Sequence, residues 1–224
     1  MTDTNEMAEI ASSAFSAEAF SARARERLSL DLAGAAADDG QAGDHVIDSS
    51  FKTDPEMRSA LRLAAVLIPV IAHPGEATVL LTQRTDHLPA HAGQIAFPGG
   101  KIEDYDETPL NAALREAREE VGLTGEYVEP IGYLRPYHTR TGFHVMPVVA
   151  MVRPGFELVL DPSEVADAFE VPLSFLMNPA NHQRQSRVLL GALRHFFAMP
   201  YESRYIWGIT AGIIRELHDA VYRT

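Results

Sequence analysis

Residues 93–123 read Gly93-Gln-Ile-Ala-Phe97-Pro98-Gly99-Gly100-Lys101-Ile-Glu-Asp-Tyr-Asp106-Glu107-Thr108-Pro109-Leu-Asn-Ala-Ala-Leu-Arg115-Glu116-Ala-Arg118-Glu119-Glu120-Val121-Gly122-Leu123. The apolar run into Phe97 predicts a strand that stops at a turn over Phe97-Pro98-Gly99-Gly100. A helix is predicted from about residue 108 to 121. Thr108 is suited to the N-cap, Pro109 to the first helical position, where a missing N–H costs nothing, and Gly122 to a left-handed stop.

The helix ends against its own electrostatics. Glu116, Glu119 and Glu120 crowd the last turns, where the helix dipole disfavours carboxylates. At spacings of three and four they share a face and repel by a few tenths of a kcal/mol per pair. Arg115 is in reach of Glu119 and relieves part of this. A sequence selected for stability alone would rarely do so. A hard divalent cation turns the cost into binding, because Mg²⁺ takes one or two carboxylates plus phosphates and water.

Arg115-Glu116-Ala117-Arg118-Glu119-Glu120-Val121-Gly122-Leu123 resembles the second half of the Nudix box, G-x5-E-x7-R-E-U-x-E-E-x-G-U with U aliphatic. Counting back from Arg115 puts Glu107 at the E position and Lys101, not Gly100, at the G position, so the loop is one residue longer than the general pattern. That insertion, with five residues between Gly100 and Asp106, is similar to the branch of the family that cleaves coenzyme A. Leu80-Leu81-Thr82-Gln83-Arg84, Gly93 and Phe97-Pro98-Gly99-Gly100 resemble the same branch's L-L-T-x-R…G-x3-F-P-G-G. Thr85 and Pro89 depart from it, the latter standing where an Arg is usual. Tyr205-Ile206-Trp207-Gly208-Ile209-Thr210-Ala211 resembles the W-G-x-T-A near the end of such relatives, although Trp207 also reads as a core anchor.

Beyond this stretch the chain is that of an ordinary globular protein: 224 residues and 46% apolar content allow one full domain and an appendage. The absence of cysteine excludes disulfides and thiolate metal sites and fits a reducing compartment. A net charge of −12 excludes bulk electrostatic binding to nucleic acid or anionic membrane. With no targeting segment or apolar run of membrane-spanning length in the sequence, a cytoplasmic protein is expected. A homodimer is left open.

Residues 1–56 divide from 57–224 by composition. Residues 16–29 predict a short helix with Phe20, Ala24 and Leu28 on one side, and 31–50, rich in Ala, Gly and Asp, read as a linker. In the second part, strands are expected at 64–72, 77–84, 127–137, 143–153, 158–160, 165–171, 187–192 and 195–198, and a closing amphipathic helix at 208–222. His87 and His91 have zinc-pair spacing, but Pro89 between them forbids the helix that would align them. Asp104-Tyr105-Asp106 lacks the third acid and the Gly of a calcium loop.

The resemblance implies an α/β Nudix fold, a mixed β-sheet sandwiched between α-helices, over about residues 60–222. It implies metal-dependent hydrolysis of the diphosphate bond of coenzyme A, and of acyl-CoA, to 3′,5′-ADP and 4′-(acyl)phosphopantetheine. The alternatives are another Nudix substrate (NADH, ADP-ribose or a nucleoside triphosphate) and a non-catalytic Nudix-fold binding module. Mg²⁺ or Mn²⁺ would be held by Glu116 and Glu120, with Glu119 beside them. Glu119 or Glu164 would act as base, and Arg115 would fix a box carboxylate. Gly99 and Gly100 would admit the phosphates, and Arg84 and Arg140, the latter in the donor-rich loop 137–143, would grip them.

Overall fold

The computed structural model describes residues 14–37, 42–48, 51, 61–88, 91–189 and 191–223. Ser16 accepts the Ala19 N–H at 3.2 Å and starts helix α1 (Ala17–Arg27), which buries Ala17, Phe20 and Ala24. Residues 31–50, expected as a linker, contain the short helix α2 (Leu32–Ala37), the strand β1 (Ala42–Gly43) and the helical turn α3 (Asp44–Ile47). The partners of β1 and of Asp44 and Asp48 lie some ninety residues further on, so local composition carried no sign of them.

Then follow β2 (Arg62–Ile71), β3 (Thr78–Arg84), β4 (Ile95–Ala96), β5 (Gly99–Lys101), helix α4 (Pro109–Val121), β6 (Val128–Tyr133), β7 (Tyr137–His138), β8 (Phe143–Val152) and β9 (Val165–Pro172). These strands and β1 make one mixed sheet in the order β1-β7-β8-β2-β3-β4. Off that path, β5 pairs with β2, β6 with β8 and β9 with β3. At its centre β2 and β8 run parallel from Arg62↔Phe143 to Ile71↔Val152. After the turn α5 (Leu173–Leu176), β10 (Gln183–Leu189), β11 (Ala192–Tyr201) and β12 (Arg204–Trp207) form a separate antiparallel sheet, and helix α6 (Ile209–Val221) ends the described chain.

Period-two side-chain alternation divides the core into two layers. Ala65, Leu67 and Ile71 of β2 and Met146, Val148, Ala150 and Val152 of β8 pack with Ala112, Ala113, Ala117 and Val121 of α4. The other face sends Ala64, Ile68 and Val70 with Val145, Val149 and Met151 against Phe20 and Ala24 of α1 and Ile213, Ile214, Leu217 and Val221 of α6. The result is the α/β architecture expected, a mixed sheet between helices. Among the described residues no helix is long and apolar enough to cross a membrane.

Three expected elements differ. Residues 158–160 form no strand; the Val159 and Asp161 N–H groups donate at 3.0 Å to the carbonyls of Val121 and Glu120, satisfying the open end of α4. Gly99 and Gly100, expected in a turn, lie in β5 opposite Val66 and Ala65. The strand expected over 187–192 is broken by Gly191 at φ 76°, which turns β10 back onto β11 with Leu189 opposite Ala192.

Candidate active site

Helix α4 presents the charged residues. Thr108 caps it, accepting the Asn111 N–H at 3.1 Å, and Gly122 closes it at φ 74°. About two turns before that end, Arg115 uses all of its donors. Nε and Nη2 clasp Asp106 at 3.1 and 2.8 Å. Nη1 reaches Glu116 at 2.8 Å and Glu119 at 3.0 Å, and Nη2 also donates to the Lys101 carbonyl at 3.1 Å. The two-pronged partner is therefore Asp106, whose side chain is only 4% exposed. Glu107, which counting places at the box position, is exposed. The extra residue in the loop shifts the role by one position. Arg115 holds the Asp106 carboxyl below the usual carboxylate range.

Glu120 lies outside Arg115's grip. It is 5% exposed, and its Oε2 accepts the Gly99 N–H at 3.2 Å. Burial pushes its carboxyl up to about 8; the Gly99 N–H and Arg84 pull the other way, and Glu116 and Glu164 add to the rise. Burial also raises Glu116, against the pull of Arg115. Glu164, in the turn before β9, bears on both carboxylates, so the structure brings it to the box. Glu119 is mostly exposed.

The two glycines form the wall beside these carboxylates. A Cβ on Gly99 would run into the Ala65 carbonyl and Val66 Cα, and one on Gly100 would run into the Glu116 carboxylate. A cleft of about 620 Å³ is lined by Gly99, Gly100, Arg84, Phe97, Phe143 and Trp207 among others, with Glu116 and Glu120 outside its lining. Arg84 Nε is buried without a hydrogen-bond partner among the described residues. Arg62 and Lys101 add positive charge that the sequence reading missed; Arg62 stacks on Phe143 at 4.0 Å. A second cleft of about 630 Å³, beside Arg27, Tyr133 and Glu216, contains none of the predicted groups.

Arg140 stays out of the cleft lining, although Thr139 and Thr141 on either side are part of it. Its guanidinium meets Asp48 at 2.8 Å and lies 4.3 Å from the centre of the Phe51 ring. Asp44 and Asp48 also escaped the sequence reading, since nothing local marks two acids in an Ala- and Gly-rich stretch as partners of residues 137–140. His87 and His91 take separate partners, the Ser163 carbonyl and the Gln94 side chain, while Pro89 falls outside the described residues.

No three acidic or histidine side chains among the described residues converge as a complete metal cage. The hard oxygen donors of Glu120, buried without an ion-pair partner among the described residues, and of Glu116, half-buried and shared with Arg115, fit a cation that completes its shell with water and phosphate.

Residues 61–191, more than half of the chain, match the NUDIX domain family. A protein of Yersinia pestis (strain Pestoides F) named uncharacterized Nudix hydrolase NudL is 42% identical over 160 residues, covering 71% of this chain and 80% of that protein. Its namesake from Yersinia pseudotuberculosis serotype O:1b matches to the same extent. Among solved structures, DR0079 from Deinococcus radiodurans has a TM-score of 0.47 at 17% identity, covering 77% of this chain and 90% of that one. The NUDIX domain of Shewanella oneidensis NrtR complexed with ADP ribose has a TM-score of 0.41 at 21% identity, covering 57% and 84%. Members of the family generally use divalent metal ions. With the box helix and the relatives in agreement, the chain belongs to the Nudix family and is a Nudix hydrolase.

Proposed function

We propose that the protein hydrolyses the diphosphate bond of coenzyme A, and of acyl-CoA, releasing 3′,5′-ADP and 4′-phosphopantetheine or its S-acyl form. The observation that carries this reading is the one-residue-longer loop, in which Asp106 takes the clasp on Arg115, together with the L-L-T-x-R and F-P-G-G segments. Arg84, Phe97, Gly99 and Gly100 of those segments lie along one cleft. The lack of cysteine supports a reducing, cytoplasmic setting.

Glu116 and Glu120 would hold Mg²⁺ or Mn²⁺, with Glu119 at the margin. Such an ion, when bound, supplies Lewis acidity to phosphate oxygens and to water. The chain's own groups do the rest. Arg115 fixes Glu116 against Gly100, and the two glycines let the diphosphate come close to the backbone. Arg84 offers a buried, unpartnered donor to a phosphate oxygen. Glu119 or Glu164 would take the proton of the attacking water. The apolar groups Phe97, Phe143 and Trp207 in the cleft lining suit the non-phosphate parts of the substrate.

The test is a panel of coenzyme A, acetyl-CoA, NADH, ADP-ribose and nucleoside triphosphates, each with Mg²⁺ or Mn²⁺ and with products identified by mass spectrometry. Coenzyme A or its acyl ester is expected to turn over fastest. Faster cleavage of any other substrate would overturn the substrate assignment, and a metal-replete protein that cleaves none would favour a binding module.

A further inference from the structure

We infer that Asp44 and Asp48, which follow the edge strand β1, are positioning residues for substrate, holding residues 139–141 as one wall of the cleft. The inference rests on the reading of that cleft as the substrate site, whichever diphosphate it takes.

The attachment is made at several points. β1 pairs in parallel with β7, Ala42 opposite Tyr137 and Gly43 opposite His138. Gly43 has φ 146°, and a Cβ there would come within 3.0 Å of His138 Cβ. One residue on, Asp44 accepts the Tyr137 hydroxyl at 3.1 Å through Oδ1 and the Arg140 N–H at 2.8 Å through Oδ2. Asp48, 2% exposed, accepts Arg140 Nη2 at 2.8 Å and the His195 N–H at 3.4 Å. Phe51 lies beneath the guanidinium.

The loop is tied from its inner side as well. Thr139 Oγ1 accepts the Phe143 N–H at 2.9 Å and lies 3.0 Å from Thr141 Oγ1, and Arg62 Nη2 donates to the Thr141 carbonyl at 3.2 Å. Thr139, Thr141, Phe143 and Arg62 all line the cleft. The N-terminal segment thus holds Arg140 on the outside so that its neighbours face inward in one arrangement. A wall ordered in advance spares the substrate the entropic cost of ordering it on binding. None of these groups touches Glu116, Glu119 or Glu120, so their loss should weaken binding and leave the chemical step alone.

A double-mutant cycle on the full chain tests this, with Asp48→Ala, Arg140→Ala and the pair compared by two readouts. One is kcat and KM on whichever panel substrate turns over fastest. The other is the affinity for ADP, followed by the fluorescence of Trp207, the lone tryptophan and a residue of the cleft wall. Each single variant is expected to raise KM and the ADP dissociation constant about tenfold with kcat within twofold, and the pair to be no worse than either. Phe51→Ala, which leaves the charges in place, should give a smaller rise of the same kind and serves if Asp48→Ala does not fold. A fall in KM for Asp48→Ala, or an Arg140→Ala loss far larger than that of Asp48→Ala, would overturn the inference, because Arg140 would then be a phosphate ligand that Asp48 restrains. Reduced kcat at unchanged KM, or no effect, would also overturn it. A protein that cleaves no panel substrate defeats the hydrolytic reading, and the ADP titration still decides this one.

Discussion

Arg115 and Arg140 both sit among carboxylates, and the balance of charge around them differs. Arg140 meets the Asp48 carboxylate with its guanidinium and Asp44 with its backbone N–H, and Phe51 covers it. Arg115 faces Asp106, Glu116 and Glu119 with every donor committed, and Glu120 is buried beyond its reach. The first arrangement ties a loop to an N-terminal segment. The second leaves acid in surplus, and surplus buried acid has no structural use unless a cation joins it. A charged cluster that closes on itself is a fastening, and one that does not close is a candidate site.

The largest expected effect breaks the surplus. Glu120→Gln keeps shape and an acceptor for Gly99 N–H while removing the charge, so steady-state assays should show turnover down by about three orders of magnitude or more. The same variant should make the metal-free fold more stable. Glu120 folded has its carboxyl at about 8, above its unfolded value, so the metal-free wild type loses stability as pH rises from about 4.5 through 8. At pH 8 the variant should be the more stable of the two in urea melts. Lower stability than wild type there would mean that Glu120 is already balanced without an ion.

Asp106→Asn loosens the clasp on Arg115. A loss of about 2 kcal/mol is expected at neutral pH, with lowered kcat as Glu116 loses its fixed partner. The sign with pH is opposite to that of Glu120. Asp106 folded lies below its unfolded value, so its contribution is present above pH ~4 and is lost as pH falls through the folded value. Wild type and variant should therefore converge in acid.

Asp44→Asn is the smallest of the three. Burial raises Asp44, against the pull of its hydrogen bonds, so wild-type stability falls as pH rises through its folded value, and the variant should lack that slope. Urea melts between pH 4 and 7 measure it. A slope of the Asp106 kind at Asp44 would mean that its hydrogen bonds from Arg140 and Tyr137 outweigh its burial.

How far each cluster could be read from sequence follows the range of its contacts. Helix α4 was legible to the residue at its end, because Thr108, Pro109 and Gly122 state its bounds locally and its apolar face is periodic. The Arg115–Glu119 contact follows from helical spacing alone. Counting back from Arg115 lands on Glu107, whereas the clasp is made by Asp106, the acid that the longer loop had set apart. Residues 158–160 have the pattern of a strand, yet this stretch spends its backbone N–H at Val159 on the end of α4, a tertiary demand. The Asp48–Arg140 tie spans 92 residues, and no propensity or period in one sequence points across that distance.

The surplus of acid at the box is tested most directly by calorimetric titration of Mn²⁺ into wild type and Glu120→Gln at pH 7, in the presence of ADP and in buffers of different ionisation enthalpy. The wild type should bind the ion and release protons as Glu120 gives up its own, and the variant should bind at least about tenfold more weakly without that release. Superimposable titrations of the two proteins would contradict the account.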